Sequence, residues 1–335
     1  MEHSIALVTG TTSGLGYAAA RILAAECWRE IIVTGRSLAR VQETAAQLTA
    51  ETKTQVFTPL ELELDAPTSV QSALAELVRL GRPVDFLLLN AGVIPGKKRV
   101  LTAAGIEASQ APLIGHHQLT VGLLRTNLLS PNARIVIAGS EAARGDVPLF
   151  SYTDVAALAA TQHQGDRSAA VEALVRSGPN VKYEPNRAYA DAKIVVAWWA
   201  AALARRLPPG MAVYTVSPGS TPDTKGLRNA GPALKWLMVP LMKLIPGMSH
   251  TPETAARRFL QASAFGTDVS GQFFASAPKK FTGPIEAMRQ PHFHDRATQE
   301  AAWQAVVKVS GVDFSPVRTA SPSGPPITKR PVGLT

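Results

Sequence analysis

The feature that most constrains the fold is a short apolar segment that breaks into a glycine-rich turn. Residues Ile5–Val8 are apolar, glycines follow at Gly10, Gly14 and Gly16, and the segment Leu15–Glu26 has the composition of a helix. A strand that turns through glycines into a helix is typical of the phosphate site of nucleotide-binding sheets, because glycine permits close backbone approach and the helix N terminus attracts anions. The spacing G-x-x-x-G-x-G is a variant of the common fingerprint, so its meaning depends on the rest of the chain.

Strand-like and helix-like segments alternate along most of the sequence. Such alternation is typical of a parallel sheet with helices on both faces. It predicts an α/β fold, a single doubly wound Rossmann domain over residues 1–314 with about seven strands and about six helices. The predicted strands are 5–8, 30–34, 55–58, 85–90, 134–138, 211–216 and 272–275, and the predicted helices are 15–26, 38–48, 68–80, 113–129, 169–176 and 188–207.

Three segments do not fit this alternation. Residues 151–187 are longer than an ordinary connection and are predicted to be an insertion. The apolar, proline-interrupted segment Pro232–Met248 lies within a predicted substrate lid at about residues 225–250. Its side chains suit a lipophilic compound, a helix packed on the core, or peripheral contact with a membrane. The end of the chain, 315–335, is rich in proline and basic residues and is predicted to be a disordered tail.

The composition predicts a globular protein of a reducing compartment. Apolar residues make up 46% of the chain and charged residues 18%, which is typical of a folded domain with a sizeable core. Because Cys27 is the single cysteine, no internal disulfide can form, and we expect a cytoplasmic location. The first apolar run is too short for a signal peptide, and none reaches the roughly 18 residues of a spanning helix, so we expect no transmembrane segment.

The positive charge favours an anionic cofactor over nucleic acid. The formal net charge is +9, but the basic residues are scattered among loops and tails, without a stripe interleaved with aromatic residues. We therefore expect no nucleic-acid partner. A homo-oligomer is compatible with the sequence.

The end of the second predicted strand indicates which nicotinamide cofactor fits. With NAD, an acidic residue here binds the ribose hydroxyls. This strand ends Thr34-Gly-Arg36, and an arginine can pair with the 2′-phosphate of NADP, so we predict NADP(H) rather than NAD(H). The alternative for Arg36 is a surface arginine. Asp65, after the third strand, is either an adenine contact or the N-cap of the helix at Pro67.

A tyrosine followed by a lysine one helical turn later predicts the proton donor for a carbonyl. Residues i and i+4 share a helix face, so Lys193 is expected to lie beside Tyr189, lower the pKa of its phenol and bind the nicotinamide ribose. Two other tyrosines compete. Tyr152 lies twelve residues after Ser140 but has alanine at i+4, and Tyr183 has arginine there, with a helix-breaking proline in between.

In this combination the chain resembles the short-chain dehydrogenase/reductase superfamily over about residues 3–310. The matching motifs are Thr9-Gly-Thr-Thr-Ser-Gly-Leu-Gly16, Asn90-Ala-Gly92, Ser140, Tyr189-x-x-x-Lys193 and Pro218-Gly219. The long segment between Ser140 and Tyr189 and the ending Gly271-Gln-Phe-Phe-Ala are most similar to the retinol dehydrogenase and protochlorophyllide reductase branch.

The resemblance implies a role for each motif. Tyr189 is expected to be the acid/base, Lys193 its activator and ribose ligand, and Ser140 a hydroxyl that orients the carbonyl oxygen. For the carboxamide of the nicotinamide, Ser220, Thr221 and Thr224 are candidates, with Thr224 preferred. The full set of predicted cofactor contacts is Gly10, Thr12, Ser13, Gly14, Leu15, Gly16, Arg36, Asp65, Asn90, Ala91, Gly92, Tyr189, Lys193, Pro218, Gly219, Thr221 and Thr224.

The helix after the fourth strand departs from the family pattern. Family members carry an asparagine there that helps to hold a water in a proton relay. The corresponding stretch, 110–117, has proline or leucine at that place, and Gln110 or Ser109 are the candidates to replace it. The adjacent His116 and His117 are expected to pack or to lie at the surface and not to bind a metal, because neighbours on a helix diverge and no carboxylate cluster accompanies them.

Taken together, the sequence predicts an oxidoreductase that transfers hydride between NADP(H) and a lipophilic ketone, aldehyde or alcohol, with Tyr189 as acid/base. Two alternatives stay open. One is a C=C reductase of the same fold, and the other is a catalytically weak NADP-binding regulatory protein, which the missing asparagine favours.

Overall fold

A computed structural model describes residues 5–178, 181–221 and 249–314. The apolar segments of these ranges pair into one sheet of eight strands. The strands are β1 Ile5–Val8, β2 Glu30–Gly35, β3 Phe57–Glu61, β4 Val84–Leu89, β5 Leu129–Ala138, β6 Ala212–Val216, β7 Phe273–Ser276 and β8 Ile285–Ala287.

The strand order is β3-β2-β1-β4-β5-β6-β7-β8. The strands β1 to β7 pair in parallel. The strand order reverses between β1 and β4, the point at which doubly wound sheets bind ligands. The predicted doubly wound fold is confirmed. The expected seven strands are corrected to eight, because β8 adds an antiparallel edge in register with β7, for example Ala275 opposite Glu286.

Helices flank both faces of the sheet. They are α1 Gly14–Ala25, α2 Leu38–Thr52, α3 Pro67–Leu80, α4 Ala111–Arg125, α5 Val155–Gln162, α6 Arg167–Arg176, α7 Pro185–Ala204, α8 Pro252–Ser263, α9 Pro291–His294 and α10 Arg296–Ser310. The helices α5, α8, α9 and α10 were not predicted from the sequence. The helix α4 was predicted too late, since it ends at Arg125 and the residues from Leu129 already belong to β5.

Alternation along the strands separates two cores. In β1, Ile5 and Leu7 point to a core that includes residues of α3, α4, α7 and α10. Ala6 and Val8 point to the opposite core, which includes residues of α1, α2 and α8. Both faces of the parallel strands are therefore buried, which explains why their sequences are continuous apolar runs and not alternating ones.

Local signals set the ends of the helices. The helix α3 has Pro67 at its first turn and ends at Gly81 with φ +62°, the usual positions of proline and glycine at helix ends. Its N-cap is Ala66, so the N-cap alternative for Asp65 is wrong, because the helix starts one residue later than that role requires. Among the described residues, none of the helices is both long and apolar enough to cross a membrane.

Candidate active site

The glycine turn packs against the ends of β2 and β4. Gly10 has a φ of +72°, a conformation that favours glycine, and its amide donates to Thr34 Oγ1 at 3.2 Å. A Cβ on Gly16 would lie 2.3 Å from the carbonyl oxygen of Gly10 and 2.7 Å from Asn90 Nδ2. Only glycine fits at this position, and the close contact brings the start of α1 to the carboxyl edge of the sheet.

The N terminus of α1 is open to an anion. Its N-cap, Ser13, makes no side-chain capping bond, and its first turn carries no acidic residue. The amide N–H groups of such a helix start are available to a phosphate, and the helix dipole adds to the attraction. Gly14, with φ +63°, begins the helix, and Leu15 packs against the core behind it. Thr12 lies on the other side of the turn, where a Cβ on Gly35 would be 2.7 Å from its Cγ2.

Arg36 lies one residue beyond β2, next to this turn. Its side chain is exposed and makes no hydrogen bond or ion pair within the ranges that the structure covers. Thr34, two residues earlier, accepts from Gly10 through its hydroxyl and from Thr11 through its carbonyl oxygen. The guanidinium of Arg36 is therefore free to pair with an anionic group beside the glycine turn. Asp65 is also exposed, at the neighbouring end of β3.

Thr9 joins β1 to the segment that follows β4. Its hydroxyl oxygen accepts from the backbone amides of Asn90 at 2.8 Å and of Ala91 at 3.0 Å. In return, Asn90 Nδ2 donates to the carbonyl oxygen of Thr9 at 3.0 Å. Gly92, two residues after Asn90, is exposed. A Cβ on Gly92 would lie 3.8 Å from its nearest neighbour, Lys193 Nζ. The backbone of residues 90–92 thus runs from the glycine turn to Lys193.

Ser140 and Tyr189 meet beyond the carboxyl end of β5. The Oγ of Ser140 accepts from the amide of Ala142 at 3.2 Å, because Ser140 caps the short 3-10 turn Glu141–Arg144. The same hydroxyl lies near the phenol of Tyr189 and acts on its pKa. Burial raises the pKa of Tyr189, the nearby Ser140 hydroxyl lowers it, and the carboxylate of Glu141 raises it, with a net rise. The phenol is therefore protonated at neutral pH.

Lys193 lies one helical turn after Tyr189 on α7. Its Nζ is 5.9 Å from the centroid of the Tyr189 ring and donates to the carbonyl oxygen of Ala138 at 2.8 Å. Burial lowers the pKa of Lys193 to about 8. The expectation that Lys193 lowers the pKa of Tyr189 is corrected here, because the ammonium is directed to a backbone carbonyl and desolvation of the phenol dominates. The arrangement places a protonated phenol beside an ammonium that loses its proton easily.

A buried ion pair that the sequence analysis missed joins two of the loops at this edge. Arg258 on α8 pairs with Glu141 at 3.4 Å, and both side chains are about 95% buried. Ser217, directly after β6, donates its hydroxyl proton to Glu141 and accepts from the amide of Gly219 at 3.2 Å. The guanidinium also donates to the carbonyl oxygen of Ser217 at 3.2 Å. This network fixes the Pro218-Gly219 segment against the residue that follows Ser140.

The two competing tyrosines have their hydroxyls bonded elsewhere. The hydroxyl of Tyr152 pairs with His292 Nδ1 at 3.0 Å. The hydroxyl of Tyr183 donates to the carbonyl oxygen of Gly96 at 2.8 Å. Pro185 starts α7, so Tyr183 lies outside that helix. Of the three tyrosines, Tyr189 is the one whose phenol meets Ser140.

Two apolar residues form a rim beside Tyr189. Leu149 has a φ of +69° and is 86% exposed, which is a rare conformation and a rare exposure for leucine. Its neighbour Phe150 packs edge-to-face on the Tyr189 ring, with the centroids 6.1 Å apart. Val93, after the Gly92 position, is also exposed. The approach to the Tyr189 phenol from this side is therefore apolar.

The histidine pair on α4 is buried. His116 Nε2 is bonded to Thr9 Oγ1 at 2.9 Å. His117 accepts from Trp199 Nε1 at 3.0 Å, and its Nε2 is bonded to the carbonyl oxygen of Val312 at 2.7 Å. Burial lowers the pKa of His116 to about 3 and that of His117 to about 4, so both rings are neutral. Both histidines pack inside the protein, which is one of the two placements expected from the sequence.

The remaining predicted contacts belong to the loop after β6. Pro218 and Gly219, the latter with φ +80°, follow β6 at the same sheet edge as Ser140. Thr221 is the last described residue of this loop. Thr224, together with residues 225–248 of the predicted lid, lies outside the described residues, and so does the predicted tail 315–335. The predicted insertion 151–187 contains α5 and α6.

Comparison with known proteins gives one consistent family. The profile of the short chain dehydrogenase family matches residues 4–153. Oxidoreductase fscI of Fusarium equiseti is 32% identical over 221 residues, which cover 64% of this chain and 85% of that protein. The chloroplastic protochlorophyllide reductase of Chlamydomonas reinhardtii is 27% identical over 322 residues, which cover 93% of this chain and 79% of that protein.

The fold has solved counterparts. A crystal structure of a short chain dehydrogenase from Burkholderia cenocepacia J2315 in complex with NADP has a TM-score of 0.57 and 23% identity, and the match covers 80% of this chain and 94% of that one. The sheet order, the open helix start at the glycine turn and these relatives agree with the resemblance identified from the motifs. The chain belongs to the short-chain dehydrogenase/reductase family, in its protochlorophyllide reductase-like branch, and is an NAD(P)-dependent oxidoreductase.

Proposed function

We propose that this chain transfers hydride between NADP(H) and a lipophilic ketone, aldehyde or alcohol, with Tyr189 as the acid/base. The single observation that carries the proposal is the convergence of Ser140, Tyr189 and Lys193. The Ser140 hydroxyl lies near the phenol and lowers its pKa, and the Lys193 ammonium lies 5.9 Å from the centroid of the phenol ring.

The Tyr189 phenol suits the role of a proton donor in the direction of reduction. It is protonated at neutral pH, because burial raises its pKa. In this direction it would give its proton to the carbonyl oxygen while a hydride adds to the carbonyl carbon. The Ser140 hydroxyl, fixed by the amide of Ala142, would hold that oxygen in line with the phenol. Lys193, whose ammonium donates to the carbonyl oxygen of Ala138, would bind the nicotinamide ribose beside the phenol.

The residues at the sheet edge fit a dinucleotide. No side chain caps the start of α1, and its first turn carries no acidic residue. This helix start can therefore bind a pyrophosphate. Asn90 and Gly92 would border the nicotinamide ribose, together with Lys193, and Pro218 and Gly219 would border the ring. NADPH supplies the hydride when it is bound.

The preference for NADP(H) rests on Arg36. This side chain ends β2, where NAD-binding proteins place an acid, and it has no partner of its own among the described residues. A free guanidinium beside the glycine turn can bind a 2′-phosphate in a bidentate way. Asp65 would reach the adenine from the neighbouring strand end.

The apolar rim of Leu149 and Phe150 supports a lipophilic substrate. An exposed leucine held at φ +69° is more easily explained by contact with an apolar ligand than by folding, because its side chain buries little surface in the protein itself.

Reduction of a C=C bond is the second candidate. The observation that favours it is the likeness to a relative named protochlorophyllide reductase over 93% of this chain. The two reactions use the same donor of hydride and the same phenol, but they give products that mass spectrometry and NMR distinguish.

The test is turnover with a panel of lipophilic ketones, aldehydes and activated alkenes. The rate is measured from the loss of NADPH absorbance, and the products are then identified. We expect NADPH-dependent formation of alcohols. Arg36→Ala should raise the KM for NADPH by about tenfold or more and leave the KM for NADH nearly unchanged. Arg29→Ala, which removes another exposed arginine, is the matched control. NADPH binding without turnover of any compound would instead favour the regulatory protein.

A further inference from the structure

A small cavity lies beside Lys193, between β4, β5, α4 and α7. Its volume is about 20 Å³, enough for one water molecule. Its polar side chains are those of Lys193, His116 and Ser109, and the backbone of residues 91–92 and Ala138 completes the wall. A water needs two to four polar partners to be held in such a space, so the cavity has the size and the lining of a single-water site.

The hydrogen bonds of Thr9 determine which nitrogen of His116 carries the proton. The Thr9 hydroxyl oxygen already accepts from the amides of Asn90 and Ala91. Its own proton is therefore directed to an acceptor, and His116 Nε2 lies at 2.9 Å, closer than the carbonyl oxygen of Leu88 at 3.3 Å. Because the ring is neutral, Nε2 as acceptor leaves the proton on Nδ1. That Nδ1–H has no partner among the described residues.

The direction of side chains on a helix explains why His116 reaches this place. A helical side chain leans over the turn that precedes it, so residues i and i+4 cover the same spot. His116 therefore lies over Pro112, one of the two residues at the position where the asparagine was expected. The two replacements considered from the sequence do not serve. The hydroxyl of Ser109 donates to Glu107, and Gln110 does not line the cavity.

We propose that His116 is a positioning residue that holds one water against the ammonium of Lys193, with its Nδ1–H and the Nζ–H both donating to the water oxygen. The inference rests on the proposed roles of Tyr189 and Lys193. Burial lowers the pKa of His116 to about 3, so the ring takes up no proton at neutral pH. His116 therefore acts through the water and through Lys193, and it does not touch the reacting atoms.

The water would stabilise the charged form of Lys193. Its ammonium has the carbonyl oxygen of Ala138 as a protein acceptor, and the groups that face it are the Tyr189 ring and neutral His116. A second acceptor lowers the cost of keeping this buried ammonium charged. Loss of the water should therefore lower the pKa of Lys193 further.

Two substitutions separate the bond to the water from the bond to Thr9. The amide of asparagine reaches the place of the imidazole Nδ1, and that of glutamine reaches the place of Nε2. His116→Asn keeps a donor for the water and loses the Thr9 bond. His116→Gln keeps the Thr9 bond and loses the donor to the water. The pair forms its own control, because a purely structural role would be damaged more by His116→Asn.

The experiment is NMR titration of Lys193 in uniformly labelled full-length protein, with NADP⁺ absent, together with a high-resolution crystal structure. We expect a lowering of the Lys193 pKa by about one unit in His116→Gln, and a change of less than about 0.3 units in His116→Asn. The crystal structure should show one water within hydrogen-bond distance of Lys193 Nζ and His116 Nδ1. His116→Leu removes both bonds and should lower the Lys193 pKa as His116→Gln does. It replaces His116→Gln in the experiment if the glutamine variant does not fold.

An empty cavity, or equal pKa values in wild type, His116→Gln and His116→Leu, would overturn the inference. These readouts need no turnover, so they are independent of the proposed function. If the water is present but no compound is reduced, the proposed function fails and the positioning role of His116 toward Lys193 stands. If carbonyls are reduced through Tyr189 and the water is absent, the reverse holds.

Discussion

The ammonium of Lys193 donates to the carbonyl oxygen of Ala138 at 2.8 Å and leaves the phenol of Tyr189 without a direct bond to it. The lysine is therefore held by the end of β5, the same strand end that carries Ser140. Its position is set by the sheet and not by the tyrosine. Burial without a paired acid lowers the pKa of Lys193 from 10.5 to about 8. The charged lysine therefore destabilises the folded state at neutral pH.

The first prediction concerns Lys193→Met. Because the folded-state pKa lies below the unfolded value, the unfolded chain binds more protons between pH 8 and 10.5, and the stability of the wild type rises with pH across that window. At pH 7 the substitution should raise the Tm by about 2–5 °C, and the gain should shrink as the pH rises from about 8 to 10.5. Reductase activity should be lost. Thermal unfolding from pH 6 to 10.5 measures the effect, and a lower Tm at pH 7 would contradict it.

The second prediction concerns Gly16→Ala. The added Cβ would lie 2.3 Å from the carbonyl oxygen of Gly10, so the turn must shift, and overpacking of this kind costs about 1–3 kcal/mol. NADPH should bind about tenfold more weakly or worse, as measured by calorimetry. Gly178→Ala is the control, because a Cβ there is 3.7 Å from its nearest neighbour. Unchanged NADPH affinity in Gly16→Ala would mean that the turn does not form the phosphate site.

The third prediction concerns Leu149→Asn. Asparagine tolerates the left-handed conformation better than leucine, so the Tm should stay the same or rise. The loss of an apolar contact should raise the KM for a lipophilic ketone by about three- to tenfold. Val78→Asn is the control, because Val78 is another exposed apolar residue, with 49% of its surface exposed. It lies near the end of α3, which leads to the opposite edge of the sheet. Equal effects of the two substitutions on KM would argue against a substrate-contacting rim.

The fourth prediction concerns Asp191, which is buried on α7 and accepts from the amide and the hydroxyl of Thr153 at 2.6 Å and 2.9 Å. Burial raises the pKa of Asp191 from 3.8 to about 6. The folded state therefore binds this proton more tightly, and the resulting stabilisation is lost as the pH rises through 6.

Asp191→Asn keeps a bond to Thr153 without a charge. It should stabilise the protein by about 1–3 kcal/mol at pH 7 and remove the decline in stability between pH 4 and 6. Denaturant unfolding at pH 4, 5.5 and 7 provides the measurement. A substitution that destabilises the protein equally at all three pH values would show that the carboxylate, once charged, is fully compensated.

Motifs that act locally could be predicted from the sequence. The turn from Gly10 to Gly16, the arginine at the end of β2 and the i, i+4 pair of Tyr189 and Lys193 follow from spacing and residue type alone, so the sequence located them. The doubly wound fold also followed from the alternation of elements. These features depend on neighbours a few residues apart, which is the range over which a sequence pattern carries information.

Features that depend on tertiary partners could not be predicted. Glu141 and Arg258 are 117 residues apart, and nothing in either local sequence marks them as a buried pair. His116 was expected to pack or to lie at the surface, and its place beside Lys193 depends on how α4 lies against α7. The strand β8 is three residues long and carries no periodicity, so its pairing with β7 becomes visible only in the sheet.

The central claim is that the Tyr189 phenol donates the proton. Its most direct test is the rate of NADPH oxidation with the best ketone of the panel, measured for the wild type, Tyr189→Phe and the control Tyr183→Phe, alongside the Kd of NADPH. We predict that Tyr189→Phe lowers kcat by about 10²-fold or more. The Kd of NADPH should stay within about twofold of the wild type, because removing one hydroxyl leaves the phosphate site intact. Tyr183→Phe should keep the wild-type rate. Equal loss in the two variants, or full activity in Tyr189→Phe, would contradict the account.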